Sequence, residues 1–536
     1  ATDGTGGGLT KNGTGTLTLT NTNTYTGGTT VNAGTLNISG GGGATGLIRG
    51  TLNINANATV LAGNAWGLGY QGAGSVTTIN INGGTLYFSA TAFNGGLAAN
   101  TVNMTGGTIA GNGGGNTFDW FYGNTSTPFL NTFASSNTST ISANLNLRLN
   151  SASNALTFNV ANGTTSNGVD LLVSGNITST GGADALGAIT KNGTGRMVLS
   201  GNNTYTGATT INAGTLSVTG TTSSSTITIN SGGNLTGTGT VGAVTLNTGG
   251  MIGAGTGTST VGKLTGTSLT IGAGTGYAVT IGSATGTAGT DFDQIALSGA
   301  LTLNNTSASK FTVYLYGSAT GWSGASTYTW DIITAASLTG FTAGNFTTDF
   351  TNFGIASGLR TGNWTFSNPT AGNIRLTYTG AGGGNATWSG GAGNWSAGFS
   401  PAVGDAYNIT YNGTAGGTST NDISSSTLGS VGNITFTSGA GAYTLAANSG
   451  SAGVNSTTSL SLAGDIINNS SNTQTINTAL GISTVRTVDA ASGNITIGGA
   501  VTGGGGLTKN GTNTLTLSGS NTYTGATTIN AGTLSL

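Results

Sequence analysis

Asp291 and Asp293 stand two residues apart in the stretch Asp291-Phe292-Asp293-Gln294-Ile295. On a strand, side chains at i and i+2 share one face. A carboxylate pair on one face would hold a cation or act on a sugar. The rest of the inventory argues against that chemistry. The 536-residue chain contains no His and no Cys, and all 12 of its acidic residues are Asp. A Ser/His/Asp triad, a cysteine nucleophile and a thiolate zinc site are therefore excluded. Asp291 follows a Gly-Thr turn with no Lys or Arg close by in sequence, so the pair reads as solvated carboxylates at a strand start. The glycine-rich nonapeptide that binds calcium with Asp ligands is also absent, since Gly111-Asn112-Gly113-Gly114 carries no carboxylate. The expectation is a chain without catalytic, cofactor-binding or metal-binding residues, and not an enzyme.

Aromatic side chains offer a different chemistry, stacking on a sugar ring or a partner surface. They concentrate at Trp120, Phe121 and Tyr122, near Pro128, Phe129 and Phe133, and at Trp388 and Trp395 among glycines. The first cluster reads as packing beneath a loop before it reads as a contact patch. The Trp388/Trp395 pair reads as filling the end of a small core before it reads as a sugar platform.

These residues must be positioned by an unusual scaffold. The chain has 102 glycines, 3 prolines and only 4% charged residues, with a formal net charge of −1. No basic stripe would attract nucleic acid. No apolar run approaches the ~18 residues of a membrane-spanning helix, so neither nucleic acid nor membrane insertion is expected. The 35% hydrophobic content, much of it Leu, Ile and Val alternating with Thr or Asn, favours a folded β protein over disorder.

Internal repetition organises the alternation. Residues 9–36 read LTKNGTGTLTLTNTNTYTGGTTVNAGTL, residues 189–216 read ITKNGTGRMVLSGNNTYTGATTINAGTL, and residues 507–534 read LTKNGTNTLTLSGSNTYTGATTINAGTL. The third copy matches each of the others at 22 of 28 positions. Leu17 and Leu19 alternate with Thr, as in a strand with one buried face. Lys11-Asn12-Gly13 and Asn32-Ala33-Gly34 interrupt the alternation with residues that tolerate left-handed backbone. The unit thus predicts strand, turn, strand, turn, strand, in coils of ~20 to 25 residues that stack to share a core.

The three copies resemble the autotransporter-associated β-strand repeat, also called the passenger-associated transport repeat. That resemblance implies a parallel, right-handed β-helix exported to the outer surface of a Gram-negative-type bacterium. It leads to an all-β solenoid divided as follows: 1–115 with the first repeat, 116–135 an aromatic insert or cap, 136–300 with the second repeat, 301–380 an aromatic-rich β section, 381–412 a Gly/Trp junction, and 413–536 with the third repeat. The sequence reads as a processed chain or a segment of a longer one.

The expected function is a non-catalytic extracellular structural protein, part of a cell-surface fibre. Its expected partners are further copies of itself or neighbouring repeats, stacked end to end through Leu9, Leu17 and Leu19 at one end and Ile529, Leu534 and Leu536 at the other. The alternative is an adhesin passenger that binds glycans or other surfaces. Ice binding by outward Thr rows is a weaker third, because the Thr-x-Thr spacing varies along the chain.

Overall fold

The computed structural model of the chain describes residues 6–40, 47–63, 67–69, 75–89, 93–97, 101–111, 117–120, 129–147, 155–179, 187–257, 260–322, 326–355, 363–379, 385–398, 406–423, 430–448 and 459–536. Short strands separated by turns fill these residues. Helix among them is limited to one turn at Trp395–Gly398 and a 3-10 turn at Ala343–Asn345. Strands of successive coils pair in parallel, as Leu9–Lys11 does with Thr29–Val31 and Thr16–Leu19 with Gly34–Ile38. The fold is a parallel β-solenoid.

Two compact units divide the chain: Ala1–Ser318, Trp330–Phe353 and Phe366–Leu376 form the first, and Ala319–Thr329, Gly354–Thr365 and Thr377–Leu536 the second. In the first unit a 14-stranded sheet runs from Thr16–Leu19 to Phe346–Asp349, and a second large sheet takes the other strand of each coil. A third sheet of four strands, Phe93–Leu97, Thr117–Trp120, Asn144–Leu147 and Ile177–Thr178, adds another face to part of this stack. The second unit repeats the plan with two seven-stranded sheets. Its third sheet contains Leu460–Ser461, Leu480–Gly481 and Val501–Thr502.

Period-2 alternation explains where the core sits. Register places Val31, Ile54, Ile81 and Met104 one above another, and all four are fully buried. Each such aliphatic side chain contributes about 1.5–3 kcal/mol of burial. No single coil could enclose this column, so the core exists only through stacking. Coil length is much less regular than the strands. Paired residues lie 17 positions apart at Ile227 and Val244, 20 at Leu9 and Thr29, 33 at Ala155 and Ala188, and 37 at Leu301 and Leu338. The expected 20 to 25 residues is a middle value. Insertions enter at the turns, where they disturb neither the ladder nor the column.

Asparagines form a second, polar column. Amide nitrogens of Asn80, Asn103, Asn131, Asn159, Asn192, Asn212, Asn230 and Asn247 each donate to the Oδ1 of the asparagine one coil earlier, beginning from Asn53, at 2.7–3.2 Å. In such a ladder each amide donates to the coil before it and accepts from the coil after it, so an interior member carries two bonds. Asn131→Ala is expected to lose both, at about 1 kcal/mol each. A urea unfolding midpoint lowered by that amount, against no change for a substitution at exposed Thr20, would check it.

Candidate functional site

The repeat itself is the best-defined polar assembly in the chain. In the second copy, Ala188–Asn192 and Arg196–Leu199 belong to one coil, and Thr209–Ile211 and Gly214–Val218 to the next. Ile189 pairs with Thr209 and Met197 with Leu216. The expected single coil of three strands is therefore corrected to four strands in two stacked coils. The motif is long because it encodes a contact between neighbours.

A lysine makes that contact. The Lys191 Nζ donates to the carbonyls of Asn192 at 3.0 Å and Gly193 at 2.8 Å in its own turn, and of Ala213 at 3.0 Å in the turn of the next coil. Lys509 does the same with Asn510, Gly511 and Ala531 at 2.6, 2.7 and 3.1 Å. Lys11 reaches Gly13 at 2.9 Å and Ala33 at 2.8 Å. An ammonium has three N–H groups and no acceptor, so three carbonyls saturate it. Burial pushes Lys191 down to about 8, with the charge of Asp170 opposing the shift. Lys509 is likewise lowered by burial, with Asp489 opposing.

Lys191→Met keeps the length of the side chain and leaves three carbonyls without their donor. At about 1 kcal/mol or more each, partly offset by relief of the buried charge, the expected net loss is about 2 kcal/mol. Urea unfolding of the variant checks it, with exposed Lys263→Met as the silent control.

Two further polar positions of the motif, a tyrosine and an asparagine, bond within or between coils. Tyr25, Tyr205 and Tyr523 place their hydroxyls 2.6, 2.7 and 2.7 Å from the Oγ1 of Thr29, Thr209 and Thr527. Tyr205 is fully buried, and burial pushes its phenol up to about 12. Asn32, Asn212 and Asn530 each donate to the Asn of the preceding Lys-Asn-Gly turn, at 2.7, 2.9 and 2.9 Å. The lysine was missed as a clip in the sequence, although a signal existed: three of the chain's five lysines occupy the same motif position.

Elsewhere, carboxylates fasten backbone. Asp170 accepts from the N–H groups of Gly163 and Arg196, both at 2.7 Å. Asp331 and Arg375 form a bidentate pair at 2.7 and 2.9 Å. Asp291 and Asp293 do not share a sheet face, which corrects the expectation of a strand. Asp291 lies in a turn and accepts from the N–H of Thr287 at 2.7 Å, while Asp293 turns inward and accepts from Gly262 and Thr280, both at 2.7 Å. Burial pushes Asp293 up to about 7 against the pull of those two donors.

Trp388 and Trp395 are buried in the core of the second unit, so neither offers a ring face at the surface. Trp395 donates its Nε1 to Ser419 Oγ at 2.8 Å, and Trp388 its Nε1 to the Gly391 carbonyl at 3.0 Å. Phe121, Tyr122 and the side chain of Trp120 lie outside the described residues. Leu9, Leu17, Leu19 and Leu534 are half-buried, and Ile529 and Leu536 are exposed.

Residues 9–38, 189–218 and 507–536 match the family profile described as passenger-associated-transport-repeat. The chain carries three passenger-associated transport repeats. The matched stretches, 30 residues each, extend every 28-residue motif by two residues. No curated protein matches the chain.

Proposed function

We propose that the chain is a non-catalytic structural part of a cell-surface passenger, built so that coils hold one another. One observation carries this reading: the lysine, tyrosine and asparagine side chains that define the repeat bond to their own turn or to a neighbouring coil. What the repeat preserves is stacking. Lys11 to Lys509 repeat the clip in both compact units, each time joining a Lys-Asn-Gly turn to an Asn-Ala-Gly turn.

The finer form of the proposal is a fibre. The clips that hold one coil on the next in each repeat would hold coils of different copies in the same way. Electron microscopy of the purified chain is expected to show end-to-end assemblies that shorten with Ile529→Asp. Particles of one size, unchanged by that substitution, would remove the fibre. An adhesin is the second reading, favoured by Phe129 and Phe133, which stay 39% and 53% exposed on the first unit. Loss of surface binding on replacing both with Ser would support it.

A further inference from the structure

Outward threonines of the first unit form a column of their own. Thr190, Thr210, Thr228, Thr245, Thr270 and Thr302 are successive register partners on its second large sheet, and each is half-buried or exposed. Along the chain they stand 20, 18, 17, 25 and 32 positions apart. The variable spacing that weakens ice binding as a reading of the sequence is therefore the spacing of turns, and strand pairing removes it. No register shift interrupts the pairing at these threonines.

Two positions after four of these threonines stand Asn192, Asn212, Asn230 and Asn247, whose amides are bonded to one another from coil to coil at 2.8–2.9 Å. Two positions before the six threonines stand Ala188, Ala208, Thr226, Ala243, Ser268 and Ala300. The face thus sets a column of small residues, a column of threonine and a column of asparagine side by side. None of these residues is charged, and none has a side chain longer than asparagine. Strand propensity alone accounts for outward threonine, but asparagine is depleted in strands, so its column is not a by-product of that propensity. Side-chain ladders hold a many-stranded sheet flat, and β-branching keeps threonine stiff at χ1. Each interior amide of the ladder still has one N–H and one acceptor lone pair to offer outward.

We propose that this face binds ice. Each column repeats at the ~4.8 Å spacing of paired strands, and the threonine and asparagine of one strand lie ~6.6 Å apart along it. Hexagonal ice has one oxygen repeat slightly shorter than the first distance and another, perpendicular to it, slightly longer than the second. The six threonines carry the array over about 24 Å. A single hydroxyl gains little by exchanging a liquid water for one in a lattice. Sites held in register in two directions favour the lattice, because each water fixed by one row is already placed for the next. The threonine methyls add to this by restricting the water between hydroxyls. Charge is matched as well: ice takes up no ions, and these columns present none. A protein or glycan partner requires no such two-way repeat.

Freezing hysteresis of the whole chain, and its partition into a slowly growing ice shell, test this. The chain is expected to lower the freezing temperature below the melting temperature and to enter the ice, while an unrelated globular protein stays in the liquid. Thr210→Tyr raises a ring above the array with a residue type that strands favour, and Thr245→Lys places a charge at an exposed position. Each is expected to lose most of both effects with circular dichroism unchanged. Thr347→Tyr, exposed on the last strand of the 14-stranded sheet, is expected to keep them. A parent chain that shows no hysteresis and stays out of the ice overturns the proposal. So does ice binding that survives both Thr210→Tyr and Thr245→Lys, or that is lost equally in Thr347→Tyr.

Discussion

Gly214→Ala is expected to cost about 4 kcal/mol or more, at the extreme of what single substitutions do. Gly214 opens the second strand of the coil that follows Lys191, with φ at +64°, and Gly34 and Gly532 hold the same place in the other copies at +68° and +72°. An L-residue pays about 1–2 kcal/mol for that conformation alone. Space is the larger obstacle. A Cβ at Gly214 would fall 2.5 Å from the Gly193 carbonyl oxygen and 2.7 Å from that of Gly195. Both atoms are backbone of the coil below, so no side chain can rotate away. The two turns that meet here are also the ones that Lys191 joins, so relieving the clash pulls the Ala213 carbonyl from its ammonium. Urea unfolding and protease cleavage between residues 195 and 215 would measure the loss. Gly253→Ala, where contacts are ordinary, is the control that keeps its midpoint.

The same crowding explains how much of the molecule was legible in its residues. Alternating Leu and Thr gave the strands, and Asn-Gly and Ala-Gly gave the turns, because both depend on local backbone and side-chain facing. Register did not follow, since it depends on which turn lies above which. The 28-residue motif therefore read as one coil, while its strands Leu507–Asn510 and Thr527–Ile529 pair with each other as members of two. The Asn column was hidden for a related reason. Asn53, Asn80 and Asn103 are 27 and 23 residues apart, so no fixed period announces them.

Site residues divide in the same way. The absence of His, Cys and Glu was legible from composition. The fate of individual carboxylates was not, because burial is a tertiary property. Asp293 looks like a surface acid in sequence and is 1% exposed in the fold, whereas Trp395, read from its sequence first as filling a small core, is 0% exposed. Both are taken up by backbone or side-chain partners 13 to 31 residues away in sequence.

Those buried charges lead to an inverted pH profile for the first unit. Asp293 is raised from 3.8 to about 7, so between those values the folded state holds a proton that the unfolded chain has released. Stability from this group is fully present below pH 3.8 and is lost as pH rises through 7, by up to about 4 kcal/mol. Lys191 is lowered from 10.5 to about 8, so above 8 the unfolded chain binds the extra proton and stability rises with pH up to 10.5. Its contribution reaches about 3 kcal/mol. Asp349, held low by the hydroxyl and then the N–H of Thr351, acts in the opposite sense to Asp293, but it is near the surface and solvent screens it. The urea midpoint of the first unit is therefore expected to pass through a minimum near pH 7 to 8, where most proteins are most stable. Asp293→Asn should flatten the acid limb and Lys191→Met the alkaline limb, each whatever its effect on absolute stability. A profile with its maximum at neutral pH in the parent chain would show that the two hydrogen bonds to Asp293 and the three from Lys191 outweigh desolvation, and that both groups stay charged in the fold.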